Sequence, residues 1–273
     1  MTKDECEMIR ENQLSAEAIT CGLNTRSIAR RVLFYDQAVS TNDLARQLAE
    51  TGEPEGTVVL ADEQSAGRGR LGRSWIAPAR SSILMSLILR PKLEPDQIAR
   101  ITMAVSLAAC DGIRSTTGLE AQIKWPNDIL LKGRKCGGIL AESSSTDGRV
   151  EYVIIGLGLN VNFTAAAIEG IPADATTLSD QAGREVKRVS LAQAILRAIE
   201  HYYLRMQAGD NLHQEWLARL VTLNQRVRAQ TLEGVEEGLA EAVDPDGALL
   251  LRRKDGSLVR LLAGDVTLST REQ

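Results

Sequence analysis

Two hydrophobic periods alternate along the first 223 residues, one typical of strands and one typical of helices. The segments TVVLAD at 57–62 and SILMSLIL at 82–89 are short apolar runs of the kind that form buried strands. Apolar residues between Ile98 and Ala108 recur at helical spacing. This pattern predicts strands at 31–35, 57–62, 82–89, 122–125, 128–131, 137–142 and 152–161, a hairpin-like loop at 143–149, and helices at 40–50, 95–115, 190–206 and 212–223, with Ser40 or Thr41 capping the first helix and Ser190 the third.

The sequence pattern changes near residue 223, where five short β-like runs follow one another. Turn residues separate them, among them DPDG at 244–247 and KDG at 254–256. Five short strands in this arrangement favour a small β-barrel. The first 26 residues show no strand alternation and no strong core signal beyond a helical turn near 14–19. We therefore predict a leader at 1–26, a large α/β (α+β) domain at 27–222 and a small β domain at 223–273.

Composition and charge exclude several classes of protein. The net charge is −4 and aromatic residues make up 3% of the chain, which argues against a general nucleic-acid binder or a base-stacking platform. Four cysteines without a CxxC pair, and only two histidines, argue against a zinc site and favour reduced thiols. No apolar run reaches the roughly 18 residues of a membrane span, and the polar, acidic N-terminus is unlike a secretory signal. These features predict a cytoplasmic protein.

An arginine loop at 67–73 (GRGRLGR) carries the most informative chemistry, with three glycines and three arginines in seven positions. Glycine lets the backbone approach a ligand closely, and guanidinium groups are forked donors suited to phosphate or carboxylate. The alternatives are a solvated surface loop and an RGG-like RNA tail. The position between two predicted strands weakens the RNA alternative, and no GK[ST] follows, so this is not a P-loop.

The segment KWPND at 124–128 places one lysine at a strand end beside an aromatic residue and a turn. Lys124 could neutralise charge that develops on carboxylate and phosphate oxygens, or its stem could simply cover Trp125. Asp128 could form the turn or bind Mg²⁺.

Three further segments combine small and polar residues. Gly137 and Gly138 precede an apolar strand, which indicates close packing against backbone or ligand. In GLGLN at 156–160, glycines would let a flat ligand lie over the sheet while Asn160 hydrogen-bonds to it. Ser-Thr-Asn at 40–42 forms a helix cap, and a helix N-terminus can also offer its donors to a polar ligand.

Taken in order, these motifs resemble the biotin–protein ligase family: STN, DEQ-x-AGRGRxGR-x-W, KWPND, RK-x-GGIL-x-E and GxGxNV. The similarity is strong over about residues 30–165 and looser over the small C-terminal domain. It implies a catalytic domain with a mixed sheet, like that of class II aminoacyl-tRNA synthetases, at 27–222, and an SH3-like β-barrel at 223–273.

The resemblance also implies residue roles. The residues expected to bind biotin are Ser40, Thr41, Asn42, Gln64, Gly67, Arg68, Gly69, Arg70, Lys124, Gly137 and Gly138. Nucleotide binding falls to Arg68, Arg70, Arg73, Trp75, Asn127 and Asn160. Lys124, Arg68 and Arg70 are the expected catalytic residues, and Asp128 is the expected metal ligand.

The implied activity uses ATP, biotin and Mg²⁺ as substrates and cofactor. Biotin becomes an acyl-adenylate, stabilised by Mg²⁺, Arg68, Arg70 and Lys124, and then passes to a lysine of a biotin carboxyl carrier domain of acetyl-CoA carboxylase or a related carboxylase. About 30 residues precede the STN strand, too few for the winged helix–turn–helix of repressor members, so we expect no DNA binding and no membrane association. The resemblance leaves open whether the protein is a monomer or a homodimer.

Two other functions compete with this interpretation. A lipoate or octanoate ligase or transferase on the related fold would not combine the arginine loop with KWPND. A non-enzymatic nucleic-acid binder would use the arginine loop alone, and its affinity would fall steeply with salt.

Overall fold

A mixed seven-stranded sheet forms the centre of the molecule, for which a computed structural model describes residues 13–231, 234–262 and 264–268. The strands lie in the order β1–β2–β3–β7–β6–β5–β4; β1 and β2 are parallel, and the other pairs are antiparallel. Their bounds are β1 Val32–Tyr35, β2 Val58–Ala61, β3 Ser82–Leu89, β4 Gln122–Lys124, β5 Asp128–Leu131, β6 Arg134–Thr146 and β7 Arg149–Asn160.

The helices divide unequally between the two sheet faces. They are α1 Ala16–Thr20, α2 Thr41–Glu50, α3 Ala99–Thr117, α4 Leu178–Ala182, α5 Arg188–Gln207 and α6 His213–Leu217. Helices α3 and α5 pack against each other over the main core, and Gly112 lets α3 lie directly against Ile195. Helix α2 covers part of the opposite face through a smaller cluster that includes Ala45, Val59 and Ile154. Because α2 is short, the rest of that face stays open beside its N-terminus.

The predicted strands are confirmed, but the loop predicted at 143–149 is wrong. Strands β6 and β7 continue to a two-residue turn at Asp147 and Gly148, which have φ of 51° and 75°, as a tight hairpin of the primed type requires. The run from Ser143 to Thr146 lacks apolar alternation because this end of the hairpin extends beyond the core, so its strand character leaves no hydrophobic signal.

Two predicted helix boundaries are also wrong. Helix α5 begins at Arg188, with Lys187 at its N-cap, so Ser190 lies inside the helix. The helix predicted at 212–223 is limited to α6, because the chain after it pairs with β4 instead. Backbone bonds from Ile123 to Arg219 (2.8 Å) and from Val221 to Ile123 (2.9 Å) form that pairing.

The N-terminal segment packs into the main core, contrary to the weak core signal of its sequence. Leu14 and Ile19 are fully buried. Gln193 of α5 donates to three carbonyl groups at the end of α1 and just beyond it, those of Ala18, Ile19 and Cys21. The signal is weak because one short helical turn supplies too few positions for a period to be visible. The predicted leader boundary at residue 26 stays a prediction.

Five antiparallel strands form the C-terminal domain, as predicted. They are β8 Arg226–Gln230, β9 Val235–Val243, β10 Leu249–Arg252, β11 Leu258–Leu261 and β12 Asp265–Leu268, in the order β11–β10–β9–β8–β12. Trp125 ties this sheet to the larger domain, since its indole N–H donates to Gly247 O at 2.8 Å. His213 Nε2 lies 2.8 Å from Val243 O and adds a second link. The predicted domain division at 222/223 stays a prediction.

The cysteines only partly match the expectation of reduced thiols. Cys110 and Cys136 are free and buried, and burial raises the pKa of Cys110 to about 12. Cys21 is disulfide-bonded, so the expectation is wrong there, and Cys6 lies outside the described residues. Among the described residues, no helix is long and apolar enough to cross a membrane.

Candidate active site

The sequence motifs converge in one cleft on the sheet face that carries α2. Its floor is formed by β3, β6 and β7. Gly138 of β6 lies opposite Gly158 of β7, and Gly156 lies two positions before Gly158 on the same strand. A Cβ at Gly158 would lie 2.7 Å from Trp75 Cε2, and one at Gly156 would overlap the side chain of Asn42. Both glycines are therefore required by close packing over the sheet, and Gly138 adds space beside them.

One side of the cleft, which we call the α2 wall, consists of residues 40–42 with Gln64 and Ser86. Ser40 caps α2 by accepting from Asp43 N. Gln64 Oε1 accepts from Thr41 N at 2.7 Å and from Thr41 Oγ1 at 3.0 Å. Because its carbonyl oxygen is satisfied in this way, Gln64 keeps its amide group as a donor toward the cleft.

Ser86 completes this wall from beneath. Its hydroxyl lies 2.8 Å from Thr41 Oγ1 and 2.6 Å from Asn42 Oδ1, and Asn42 Nδ2 donates to Glu142 Oε2 at 2.7 Å. Sequence reasoning missed Ser86, although a single hydroxyl inside the apolar run SILMSLIL was the available signal. The network fixes the polar groups of the wall without a ligand.

Arg68, in the arginine loop, contacts carboxylates of the protein. Its guanidinium donates to Asp43 Oδ1 at 2.7 Å and to Glu142 Oε2 at 2.9 Å. Its side chain is 37% exposed. These contacts tie the arginine loop to α2 and β6, and they compensate the charge that the sequence analysis assigned to phosphate.

Arg70 points deeper, toward the turn between β4 and β5. It donates to Asn127 Oδ1 at 3.1 Å, while Asn127 Nδ2 donates to Ile139 O at 2.7 Å. Burial lowers the pKa of Arg70, whereas the negative charges of Asp128 and Asp265 act to raise it. A half-buried guanidinium held in this way is pre-positioned for an anionic ligand.

Lys135 is a second cation at the same end of the cleft. Its Nζ lies 2.5 Å from Asp128 Oδ1 and 5.9 Å from the Trp75 ring centroid. Lys124 Nζ lies 3.6 Å from the other oxygen of Asp128. Lys135 belongs to the motif RK-x-GGIL, but its functional role is not evident from the sequence, because consecutive basic residues at the start of a strand are typical of a solvated sheet edge.

Asp128 is paired with two lysines, and its expected role as a metal ligand stays a prediction. Both of its oxygens face ammonium groups. Among the described residues, no group of three or more His, Cys, Asp or Glu side chains could hold a metal ion.

Trp75 separates the cleft from an adjoining cavity. The two spaces share the stretch Arg73 to Trp75, Asp128, Lys135 and Asp265. The Trp75 indole N–H is buried and has no hydrogen-bond partner among the described residues. Arg73 pairs with Asp265 of the C-terminal domain, so the small domain also contributes to the site.

Asn160 and Lys124 line the adjoining cavity. Asn160 Nδ2 donates to Thr176 O at 3.2 Å, while its Oδ1 is buried without a partner among the described residues. A buried acceptor without a donor is costly unless a ligand or water supplies one. The cavity is therefore suited to a polar ligand.

The structure brings most predicted site residues together. Lining the cleft are Ser40, Thr41, Asn42, Gln64, Arg68, Gly69, Arg70, Arg73, Trp75, Asn127, Asp128 and Gly138. Gly67 and Gly137 line neither space. A Cβ at Gly67 would lie 2.9 Å from Gln64 Nε2, and one at Gly137 would overlap Leu159. Packing explains both glycines, and Lys135, Asp265, Ser86 and Glu142 are the participants that sequence reasoning missed.

Comparison with known protein families gives two matches along the chain. Residues 34–160 match the biotin/lipoate A/B protein ligase family. Residues 222–269 match the biotin protein ligase C-terminal domain. The first match contains nearly all the cleft residues, and the second covers the small β domain.

Individual relatives agree with these matches. The chain is 35% identical to the bifunctional ligase/repressor BirA of Bacillus subtilis, covering 95% of this chain and 80% of that protein. It is also 35% identical to a biotin–[acetyl-CoA-carboxylase] ligase of Mycobacterium tuberculosis, over 87% of this chain and 88% of that one. The biotin protein ligase of Aquifex aeolicus, solved in complex with biotin and ATP, superposes with a TM-score of 0.74 at 24% identity over 89% of this chain and all of that one, which shows a common fold.

Proposed function

The chain belongs to the biotin protein ligase family, and we propose that the cleft beside α2 holds biotin while the adjoining cavity holds ATP. Its activity is that of a biotin–[acetyl-CoA-carboxylase] ligase, acting through biotinyl-5'-AMP. The observation that carries the proposal is the meeting of a neutral hydrogen-bonding wall and a cationic end, Arg70 with Lys135, within one cleft.

The neutral end suits the ureido ring of biotin. Gln64 offers amide donors, and the Ser40 hydroxyl, which accepts from Asp43 N, keeps its proton to donate. The glycine strip of β7 gives the flat bicyclic ring room over the sheet. The valeryl chain then extends along the apolar floor toward Arg70, so that the carboxylate reaches the cationic end.

The first half-reaction follows from this placement. A carboxylate oxygen of biotin attacks the α-phosphorus of ATP, the bond to the β-phosphate bridging oxygen breaks, and pyrophosphate leaves with the electron pair. Negative charge crowds at the α-phosphate, and pre-positioned cations lower the energy of that arrangement. Arg70 and Lys135 stand at this point, with Lys124 behind Asp128 on the nucleotide side.

Arg68 and Arg73 have a different proposed role. Each is bound to carboxylates, Arg68 to Asp43 and Glu142 and Arg73 to Asp265. They act as positioning residues that hold the arginine loop over the ligands. Asn160, with its unpartnered oxygen, is proposed to accept from the nucleotide.

Mg²⁺ is proposed to enter with ATP as part of the substrate. Mg²⁺ is commonly bound through substrate phosphates and few protein carboxylates, which agrees with the lack of a metal cluster in the described residues. None of the roles proposed for the protein side chains depends on a resident ion.

The acceptor is proposed to be a lysine of a biotin carboxyl carrier domain. The relative from Mycobacterium tuberculosis is named for acetyl-CoA carboxylase, which supports a carrier of that enzyme or of a related carboxylase. A homodimer, the absence of DNA binding and a cytoplasmic location stay predictions. The alternative acyl substrate, lipoate, has no support from the relatives named above.

Intact-mass measurement tests the proposal directly. The purified chain, biotin, ATP and a carrier domain should yield a carrier heavier by one biotinyl group, and omission of ATP should abolish the change. A carrier variant with arginine at the acceptor lysine is the control. Modification with lipoate but not with biotin would contradict the assignment of the cleft.

A further inference from the structure

A third groove opens beside the cleft, between the start of α3 and the C-terminal domain. It shares four lining residues with the cleft: Arg70, Asn127, Ile139 and Leu140. Arg70 therefore stands between two spaces, one proposed for biotin and one without an assigned ligand. We call this space the α3 groove.

The walls of the α3 groove are largely apolar. The first turns of α3 supply Ile98, Ala99 and Thr102, and the C-terminal domain supplies Leu262 on the other side. Leu262 is 57% exposed, so its apolar surface is accessible to a ligand in the groove. Apolar walls of this kind suit an aliphatic chain rather than a second anion.

The entrance of the groove is acidic. Asp96 and Asp246 both line it. Arg100 compensates Asp246 at 2.7 Å, whereas Asp96 is exposed and makes no ion pair with any of the described residues. A free carboxylate at the mouth favours the approach of a cation.

We propose that the α3 groove admits the side chain of the acceptor lysine during biotin transfer. The inference rests on the proposed placement of biotin in the cleft. A lysine has four methylene groups and a charged tip, matching apolar walls that follow an acidic mouth. The groove also meets the cleft at Arg70 and Asn127, where the acyl carbon is proposed to lie, and it approaches from a different side than the adjoining nucleotide cavity.

The chemistry requires a separate approach of this kind. The lysine nitrogen, once deprotonated, attacks the acyl carbon of biotinyl-5'-AMP and forms the amide bond. The bond from that carbon to the phosphate oxygen breaks, AMP leaves with the electron pair, and the two protons that the nitrogen loses, one before the attack and one on amide formation, pass to solvent. Because AMP occupies the nucleotide cavity until it leaves, the nucleophile needs its own path to the carbon.

The two half-reactions can be measured apart, which gives a sharp test. Leu262→Lys and Asp96→Lys place a positive charge at the groove without touching a residue assigned to biotin or ATP. Each variant should raise the KM for the carrier domain at least about tenfold, because like charges oppose each other at the mouth. Biotin-dependent exchange of pyrophosphate into ATP should stay at the wild-type rate, as should capture of the acyl group by hydroxylamine.

Matched variants separate charge from general damage. Leu258→Lys alters another exposed leucine of the same domain, away from the groove, and should leave the KM for the carrier unchanged. Asp96→Asn should have a smaller effect than Asp96→Lys. Wild-type transfer kinetics in both lysine variants would overturn the groove assignment. If both variants also lost pyrophosphate exchange, the groove would belong to the adenylation step, and the groove assignment would again be overturned. Failure of the proposed function would be seen in the wild-type chain itself, which would not biotinylate the carrier.

Discussion

The two sides of the cleft are built by opposite means. On the α2 wall, Thr41, Asn42 and Ser86 are almost fully buried and hydrogen-bonded to one another. On the arginine loop, Arg68 is held by ion pairs in partial contact with solvent, and Leu71 is exposed with a φ of 54°. The first side is complete before a ligand arrives, whereas the second is held by contacts that water can replace.

This difference gives the two sides of the cleft different functions. A buried network keeps its geometry because each lost bond would leave an unpaired polar group. Partly exposed ion pairs contribute only about 0–1 kcal/mol each, so the arginine loop can open and close at little cost. Recognition of biotin therefore belongs to the α2 wall, and retention of the reactive adenylate belongs to the loop.

The largest expected effect lies at the cationic end, Arg70 with Lys135, because neither the α2 wall nor Arg68 can supply its charge. Lys135→Ala should slow adenylation about 100-fold, as loss of one pre-positioned charge-stabilising group commonly does. Biotin-dependent pyrophosphate exchange measures it. Lys92→Ala, at an exposed position outside the site, is the control. A larger loss in Lys124→Ala than in Lys135→Ala would reverse our ranking of the two lysines.

A substitution in the floor beneath the α2 wall should come next. Gly156→Ala forces its new methyl group into Asn42, and overpacking of this kind costs about 1–3 kcal/mol. We expect weaker biotin binding by calorimetry and a lower Tm, because the network cannot shift without losing bonds. Gly138→Ala is the matched control: its Cβ would lie 3.5 Å from Trp75 Cζ3, an ordinary contact. Equal effects of the two substitutions on biotin binding and Tm would show that the side chains of the α2 wall can shift to accommodate the new methyl group.

Removal of the loop contacts should have a moderate effect that depends on salt. Arg68→Gly removes the ion pairs to Asp43 and Glu142, and we expect release of bound biotinyl-5'-AMP to accelerate about fivefold at low salt, within the range of two weak ion pairs. High salt should bring the wild type toward the variant. Combining Arg68→Gly with Glu142→Gln should add little to either change alone, and full additivity would contradict a direct contact.

The same contrast explains what could be predicted from the sequence. The floor strands are apolar runs bounded by turns, so β2 and β3 are evident from the pattern. The arginine loop is evident from its alternating glycine and arginine residues, and KWPND from its place in the order of motifs. Both kinds of signal are local in the chain.

Other features depend on long-range contacts and leave no local pattern. Ser86 matters because Thr41 and Asn42 lie above it, 45 and 44 positions away in the chain. Asp265 matters because Arg73 reaches it from another domain. The end of α6 is set by pairing with β4, and the core role of the N-terminal segment is set by Gln193. The sequence analysis gave a role to Lys124 alone, whereas in the structure Lys135 lines both the cleft and the adjoining cavity and Lys124 lines only the cavity.

The smallest expected effect on activity concerns a site far from both sides of the cleft, and it tests whether stability alone can account for the losses above. Glu200 of α5 accepts from the backbone N–H groups of Arg26, Ser27 and Ile28 and from the Ser27 hydroxyl. Burial acts to raise the pKa of Glu200, but these donors outweigh it and the pKa lies below its usual value.

A lowered carboxyl pKa stabilises the fold above the pKa of the unfolded chain, and this contribution is lost as the pH falls through the folded-state pKa. Glu200→Gln should therefore lower the free energy of unfolding at neutral pH by about 1–3 kcal/mol and flatten its decline in acid. Pyrophosphate exchange well below Tm should stay at the wild-type rate. Denaturant unfolding at several pH values measures the first effect. A weakening of biotin binding, measured by calorimetry, as large as that of Gly156→Ala would mean that the α2 wall depends on global stability, and the contrast between the two sides would no longer explain the site.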